Sequence, residues 1–437
     1  MNATSSKSKS AAPYPDMERV THVIVGFSST FLLIIDRIFG PGQVLFIEDA
    51  SVARMRDSVA VCSSHPAVAG IVELPCQDDE LASDLHNLIS RPPNLKAVIP
   101  GVEYAVVAAA ELAESWGVAG AGVAAARVLR DKALLRQAAS TAGVAQPAWV
   151  TVDSPAAIEE FSARYDGRCV VKPVDRQGSL GVIRLLGGGE SSRDAWEESV
   201  AAREHGGLRA HERESPSRFI VEELMAGAEL SVQALVTKGN IVFANVTFKD
   251  VLGGRYPVEL AHTAPAFIER DVAAEVIEKT QRLLNAICFQ TGVVHSEWII
   301  DGDGARLVEC AGRIPGDRIS LLIDLVYGVH FVDALVRVME GCEVAEFGPP
   351  KVGASIRFVT ASPGVINRIE GVDRALEMDG VLDVSFAAPE GGVVRPLRSS
   401  TDRLGWVIAV SATAEDAREC AALAAAAIDI NTTEVSR

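Results

Sequence analysis

One stretch limits the fold more than any other. Gly292-Val293-Val294-His295-Ser296-Glu297-Trp298-Ile299-Ile300 leads through Asp301-Gly302-Asp303-Gly304 into Ala305-Arg306-Leu307-Val308-Glu309. Two apolar, β-branched runs around a Gly/Asp turn are the pattern of a β-hairpin. A three-residue loop from Gly302 to Gly304, with Gly304 in a left-handed bulge position, puts Glu297 opposite Glu309. Alternation then sets His295 on the Glu297 face and Ala311 on the Glu309 face, and turns Trp298 to the other side for packing. Two facing carboxylates repel unless a cation lies between them, and hard oxygen donors suit Mg²⁺ that also meets phosphate oxygens. An exposed acidic pair on a surface hairpin is the competing reading, so the rest of the chain must decide.

A chain of 437 residues exceeds one ordinary hydrophobic core, and about three domains are expected. Between 20 and 125, short apolar runs (His22 to Val25, Val44 to Ile47, Ala97 to Ile99) alternate with helical stretches such as Tyr104 to Trp116, which predicts a small parallel, Rossmann-like sheet. Its first strand runs into Gly26-Phe27-Ser28-Ser29-Thr30, without the glycine spacing of a dinucleotide fingerprint, which counts against NAD or FAD. A charged helix from Ala124 through Leu129-Arg130-Asp131-Lys132 to Ala139 opens a second unit, 126–347, where strands and helices mix as in α+β layers. Predicted strands there are Cys169 to Lys172, Phe219 to Glu222, Ser231 to Val236, Ile241 to Val246 and the hairpin; predicted helices are Pro155 to Ser162, Asp271 to Gln290 and Ile319 to Met339. Past Gly348-Pro349-Pro350, short strands and an Ala-rich helix from Ala414 to Ile428 predict a small α+β domain over 348–437. The fold class is therefore multidomain, α/β followed by α+β.

Charge and composition narrow the partners. A net charge of -17 without a basic run excludes a nucleic-acid surface, while a few cations inside a cleft still admit a nucleotide. No apolar run approaches the roughly 20 residues of a membrane span. Residues 1–19 read as a polar tail without the apolar core of a secretory signal, and a cytoplasmic location is expected. The seven cysteines are scattered without CxxC spacing and predict buried thiols rather than disulfides or zinc.

Three further segments carry candidate chemistry. Cys169-Val170-Val171-Lys172-Pro173 ends a buried strand on a lysine, which invites an anion, and Gln177-Gly178-Ser179-Leu180-Gly181 follows as a small loop whose amides could approach phosphate. Phe219-Ile220-Val221-Glu222-Glu223-Leu224-Met225 stops at acids and restarts after Gly227, a hinge whose backbone could pair with an adenine edge while Glu229 accepts from ribose hydroxyls. Each segment alone also reads as an ordinary turn or hairpin with solvated acids. Gly253-Gly254-Arg255-Tyr256 through Glu259 and His262 lies between predicted strands as a candidate substrate pocket, with Arg255 as a carboxylate partner. His295 is a candidate for orienting a ligand.

Taken in order, these pieces resemble the ATP-grasp superfamily over roughly Leu129 to Asp317. The resemblance implies an ATP-grasp domain between a Rossmann-like pre-ATP-grasp domain and a small C-terminal domain. It also implies ATP and Mg²⁺, with Mn²⁺ as an alternative ion, and assigns Lys132 and Lys172 to the phosphates and Gly178, Ser179 and Gly181 to a mobile phosphate loop. Glu222 and the backbone of Glu223, Leu224 and Met225 would read adenine, Glu229 the ribose, and Glu297 and Glu309 would ligate metal. Arg313, in Glu309-Cys310-Ala311-Gly312-Arg313-Ile314-Pro315-Gly316-Asp317, would steady the transferring phosphoryl group. Where the family commonly has Asn two residues after the second glutamate, this chain has Ala311, which leaves the second ion's shell one donor short.

The chain looks most like the branch of L-amino acid ligases and related peptide-forming enzymes. That branch implies small-molecule substrates, an acid and an amine, and a homodimer is the default expectation. A bicarbonate-activating carboxylase and a nucleotide-binding module without turnover stand as alternatives.

Overall fold

The structure, a computed structural model, describes residues 16–204, 209–210 and 218–434. Residues 1–15 of the expected tail lie outside the described residues.

The amino-terminal unit is a parallel sheet in the order Val68–Glu73, Val44–Glu48, His22–Val25, Ala97–Pro100. Three of its strands, His22–Val25, Val44–Glu48 and Ala97–Pro100, are buried almost throughout, as helices on both faces of a parallel sheet require. Val68–Glu73 was not anticipated; its residues are only half buried and include glycine, so it lacks the apolar run of its neighbours.

An eight-stranded antiparallel sheet dominates the rest, ordered Gly304–Ala311, Gly292–Asp301, Ala228–Thr237, Asn240–Val251, Glu259–Ala264, Gly353–Val359, Gly405–Ser411, Val381–Phe386. It runs through the expected boundary at 347/348 without interruption, because Gly353–Val359 pairs with Glu259–Ala264. Trp298, Leu307, Val294 and Leu230 on one face pack against the helix Arg270–Ala286, so Trp298 is a core residue as alternation requires. A four-stranded sheet (Trp149–Val152, Phe219–Glu223, Arg168–Pro173, Ile183–Leu186) covers the opposite side of the cleft.

Two expected helices are each split. Asp131 is extended and its carboxylate accepts from the Ala133 and Leu134 amides at 2.8 and 3.1 Å, ending Val123–Arg130 and capping Lys132–Thr141. Gly328, left-handed at φ 66, ends Ile319–Tyr327, and Phe331–Met339 leaves at 102°. No single helix among the described residues is long and apolar enough to cross a membrane. Cys62, Cys76, Cys169 and Cys310 are buried thiols as expected, whereas Cys288 and Cys342 are exposed and Cys420 is half-buried.

Candidate active site

Period-two alternation lays polar side chains in rows across the cleft face of the large sheet. One row runs Thr247, Ser231, Glu297, Glu309, and the next runs Asn245, Gln233, His295, Ala311. Glu297 does stand opposite Glu309, but by a different device from the one expected. The turn closes tightly at Asp301 and Gly304, and the extra residue is a bulge at Val308, between the Glu297–Glu309 and Trp298–Leu307 pairs.

Cations meet both carboxylates. Lys132, first residue of its helix, places Nζ 2.8 Å from Glu309. Lys249, only 4% exposed, places Nζ 2.9 Å from Glu297 and 3.5 Å from Glu259. Burial pushes the Glu297 carboxyl up, yet Lys249 and then His295 outweigh it and hold it well below the ordinary range. Burial alone would lower the Lys249 ammonium, and Glu297, Glu259 and Glu229 together raise it instead. Burial dominates at His295 and lowers its pKa.

Opposite this hairpin, Lys172 donates to Glu222 at 2.6 Å and Arg136 to the other oxygen at 2.7 Å. Burial raises Glu222, but the two cations overcome it; Lys172, sharing one carboxylate with Arg136, is lowered by burial. Glu229 pairs with Arg184 at 3.1 Å, and Arg306 holds Glu223 at 3.3 Å. Arg313 donates its Nε to Glu103 at 3.0 Å, a buried residue just past the parallel strand Ala97–Pro100 that also binds Arg130 at 3.3 Å.

Two cavities adjoin here. The first is lined by Lys132, Lys172, Gly178, Ser179, Glu222, Glu223, Leu224, Met225, Glu229, Glu297, Glu309 and Arg313, nearly the whole set expected to hold nucleotide. The second, about 240 Å³, is lined by Glu259, His262, Asp317, Ser400 and Arg403. Gln177, Gly178, Glu259, His295, Glu297 and Arg313 line both. His262 and Arg403 converge on Asp317, each at 2.9 Å, and hold it in a left-handed conformation at φ 56. The glycine loop lies over the junction. Gly178 O accepts from the Ser400 amide at 3.1 Å, Ser179 Oγ donates to Pro257 O, and Ser400 Oγ donates to Glu259 at 2.6 Å.

Two expected site residues fall elsewhere. Gly181 faces a different surface cleft, and its carbonyl accepts from Ser199 Oγ at 2.6 Å, so it anchors the base of the loop. Arg255 also lines that cleft, bound to Glu198 at 3.0 Å, because the chain turns outward before Glu259–Ala264. The Glu259–His262 stretch, expected as a loop, is a strand in the middle of the sheet. Lys249, Glu103, Arg136, Asp317 and Arg403 were not singled out from sequence. For Lys249 a signal existed, since Asn245-Val246-Thr247-Phe248-Lys249 alternates polar and apolar residues.

A family model described as an ATP-grasp domain matches residues 166–320, the span holding Lys172, the glycine loop, the hairpin and Arg313. By that match, this stretch of the chain is an ATP-grasp domain. A second model, described as L-amino acid ligase C-terminal domain 2, matches residues 357–433. An uncharacterized protein of Sinorhizobium fredii is 24% identical over 295 residues, 64% of this chain and 56% of that one, so the chain spans little more than half of this relative. Alanine–anticapsin ligase of Bacillus subtilis is 24% identical over 339 residues, 69% of this chain and 70% of that one. The crystal structure of L-amino acid ligase from Bacillus licheniformis shares the fold at TM-score 0.74 and 18% identity, over 95% of this chain and 100% of that one.

The ATP-grasp hairpin offers donors that fit Mg²⁺, two hard carboxylates on one face whose present counter-ions are ammonium groups. Among the described residues no group of three or more His, Cys, Asp or Glu is arranged to hold an ion alone. That suits an ion shared between one or two carboxylates and substrate phosphates.

Acid should unfold this chain steeply. Burial raises Glu103, Glu222 and Asp317, but Arg313 and Arg130, Arg136 and Lys172, and Arg403 and His262 respectively bring each below its ordinary value of 4.5 or 3.8. The unfolded chain therefore takes up protons first, and the stability these groups contribute above pH 4.5 is lost as pH falls toward their folded values. Circular dichroism across that range measures it, and stability unchanged through the range would contradict the pairing.

Proposed function

We propose that the protein joins the carboxylate of an amino acid to an amine, that of another amino acid, through an acyl phosphate, releasing ADP and phosphate. The observation that carries this reading is the junction of two cavities at Glu297 and Arg313. A nucleotide in one and a carboxylate in the other would meet there at the γ-phosphate.

In the first cavity Lys132 and Lys172 hold phosphate charge. Both Glu222 oxygens are taken by cations, so Glu222 orients Lys172, and the adenine edge falls to the backbone from Glu223, the last residue of its strand, through Leu224 and Met225, which lie between two strands. Glu229 accepts from the ribose. Glu297 and Glu309 would hold Mg²⁺, which supplies charge neutralisation at the phosphate oxygens. A substrate carboxylate oxygen attacks phosphorus, the bond to the ADP oxygen breaks, and Arg313 with Lys249 faces the charge spread over the transferring group. The amine nitrogen then attacks the acyl carbon, phosphate leaves, and the nitrogen loses a proton. Gly178 and Ser179, docked on Pro257 and Ser400, keep water from the intermediate.

The second cavity favours an amino acid over bicarbonate. Its volume of about 240 Å³ is several times the roughly 30 Å³ that one water occupies in the liquid. The test is phosphate release from Mg-ATP over a panel of amino acids, singly and in pairs. Release of ADP that depends on a pair, with a new amide mass, is expected; AMP as product would reject the mechanism. Arg255→Ala should leave kcat/KM within about threefold, the scale of a surface substitution. A larger loss would return Arg255 to the substrate pocket.

A further inference from the structure

A buried chain of hydrogen bonds ends on the metal-facing glutamate, and no part of the reaction described above uses its far members. Tyr327 OH donates to Asn245 Oδ1 at 3.2 Å. Asn245 Nδ2 and Thr247 Oγ1 donate to Gln233 Oε1 at 2.9 and 2.7 Å. With its carbonyl oxygen taken twice, Gln233 turns its amide nitrogen the other way, to Ser231 Oγ at 2.8 Å and His295 Nδ1 at 3.2 Å. His295 Nε2 lies 3.2 Å from Glu297 Oε1. Asn245, Gln233 and His295 are direct cross-strand partners, and Gln233 is wholly buried.

Hydrogen-bond polarity fixes what each group does. An amide N–H at His295 Nδ1 makes that nitrogen an acceptor, so the ring proton sits on Nε2 and is donated to Glu297. The reversed chain would face a bare imidazole lone pair to a carboxylate. Ala311, directly across from His295, leaves the ring room to reach Glu297 without a competing side chain.

We propose that Gln233 is a positioning residue, which sets the His295 tautomer so that Nε2–H holds one Glu297 oxygen and leaves the carboxylate aimed at the metal. The inference rests on the metal role given to Glu297 above, but its first readout needs neither metal nor turnover. Long-range ¹H–¹⁵N correlation spectra of the metal-free full chain, with His295 assigned through a His295→Gln variant, should show Nδ1 unprotonated and Nε2 protonated. Protonated Nδ1 in the wild type overturns the proposal, whether or not the protein ligates amino acids.

Gln233→Glu keeps the shape but is an acceptor, so it requires Nδ1 to donate. It should put a proton on Nδ1 and weaken Mg-ATP binding by about 10- to 100-fold by calorimetry, the usual scale for groups behind a metal ligand. A proton on Nδ1 with unchanged Mg-ATP affinity also overturns the positioning role. Should the variant not fold, the wild-type spectrum with Mg-ATP decides: the Nε2–H resonance should shift while keeping its proton, and an unmoved resonance counts against the relay.

Discussion

Arg313→Ala should lower kcat by about 10²- to 10³-fold while ATP still binds, the loss that follows removal of one fixed donor aimed at developing charge. The guanidinium is held before substrate arrives: Nε donates to Glu103 at 3.0 Å and Nη1 to the Ile314 carbonyl at 2.9 Å. That anchoring reaches across from the amino-terminal unit, because Glu103 follows the parallel strand Ala97–Pro100. Glu103 keeps Arg130 in the variant, and the fold should survive. Arg313→Lys restores charge without the planar fork and should recover only part of the rate. Single-turnover ADP formation and nucleotide affinity separate the two effects, and an Arg313→Ala enzyme with near-normal turnover would remove Arg313 from the mechanism.

Lys249→Ala should be the most damaging single change to stability in the cleft. The ammonium is buried between Glu297 and Glu259, and its removal leaves both carboxylates without their shared counter-ion. Loss of one partner from a buried ion pair costs about 3–5 kcal/mol. Urea unfolding without nucleotide should show that loss, and saturating Mg-ATP should restore part of it, because a ligand that binds only the folded state stabilises it. Turnover should stay low even when the fold is restored, since the proposed mechanism also sets Lys249, which lines the first cavity, against the transferring phosphoryl group. A variant as stable as the wild type in the absence of Mg-ATP would show that the carboxylates need no buried cation.

These two residues also mark how far sequence reasoning reached. Arg313, past the strand end at Ala311, was read only from the family resemblance, whereas alternation and one turn set Glu297 opposite Glu309 over a stretch of contiguous chain. Even there the register offset came from a bulge at Val308, which turn residues do not encode. Lys249 was missed because the strand was expected to stop at Val246, whereas Asn240–Val251 continues and carries Thr247 and Lys249 on the cleft face. Arg136 and Glu103 were beyond reach for another reason. They meet Glu222 and Arg313 across 86 and 210 residues of chain, and no local period reports such a contact.

Arg255 shows the converse. A cation near the right strand was a reasonable substrate partner, but the direction of a loop side chain follows from tertiary packing, here the pull of Glu198. The strand Glu259–Ala264 lines the second cavity instead, with Glu259 and His262, and was hidden because its polar members interrupt the apolar pattern. The closing wall from Ser400 to Arg403 comes from the last quarter of the chain and became visible only with the continuous eight-stranded sheet.

The most direct test of the central claim follows an oxygen atom. With a reactive pair of amino acids in hand, the acid partner is labelled with ¹⁸O in its carboxylate and the released phosphate is analysed by mass. Attack of that carboxylate on the γ-phosphate predicts one ¹⁸O in the inorganic phosphate and ADP as the nucleotide product. Unlabelled phosphate, or label recovered in AMP, would contradict the acyl-phosphate route and with it the roles given to Glu297, Glu309 and Arg313.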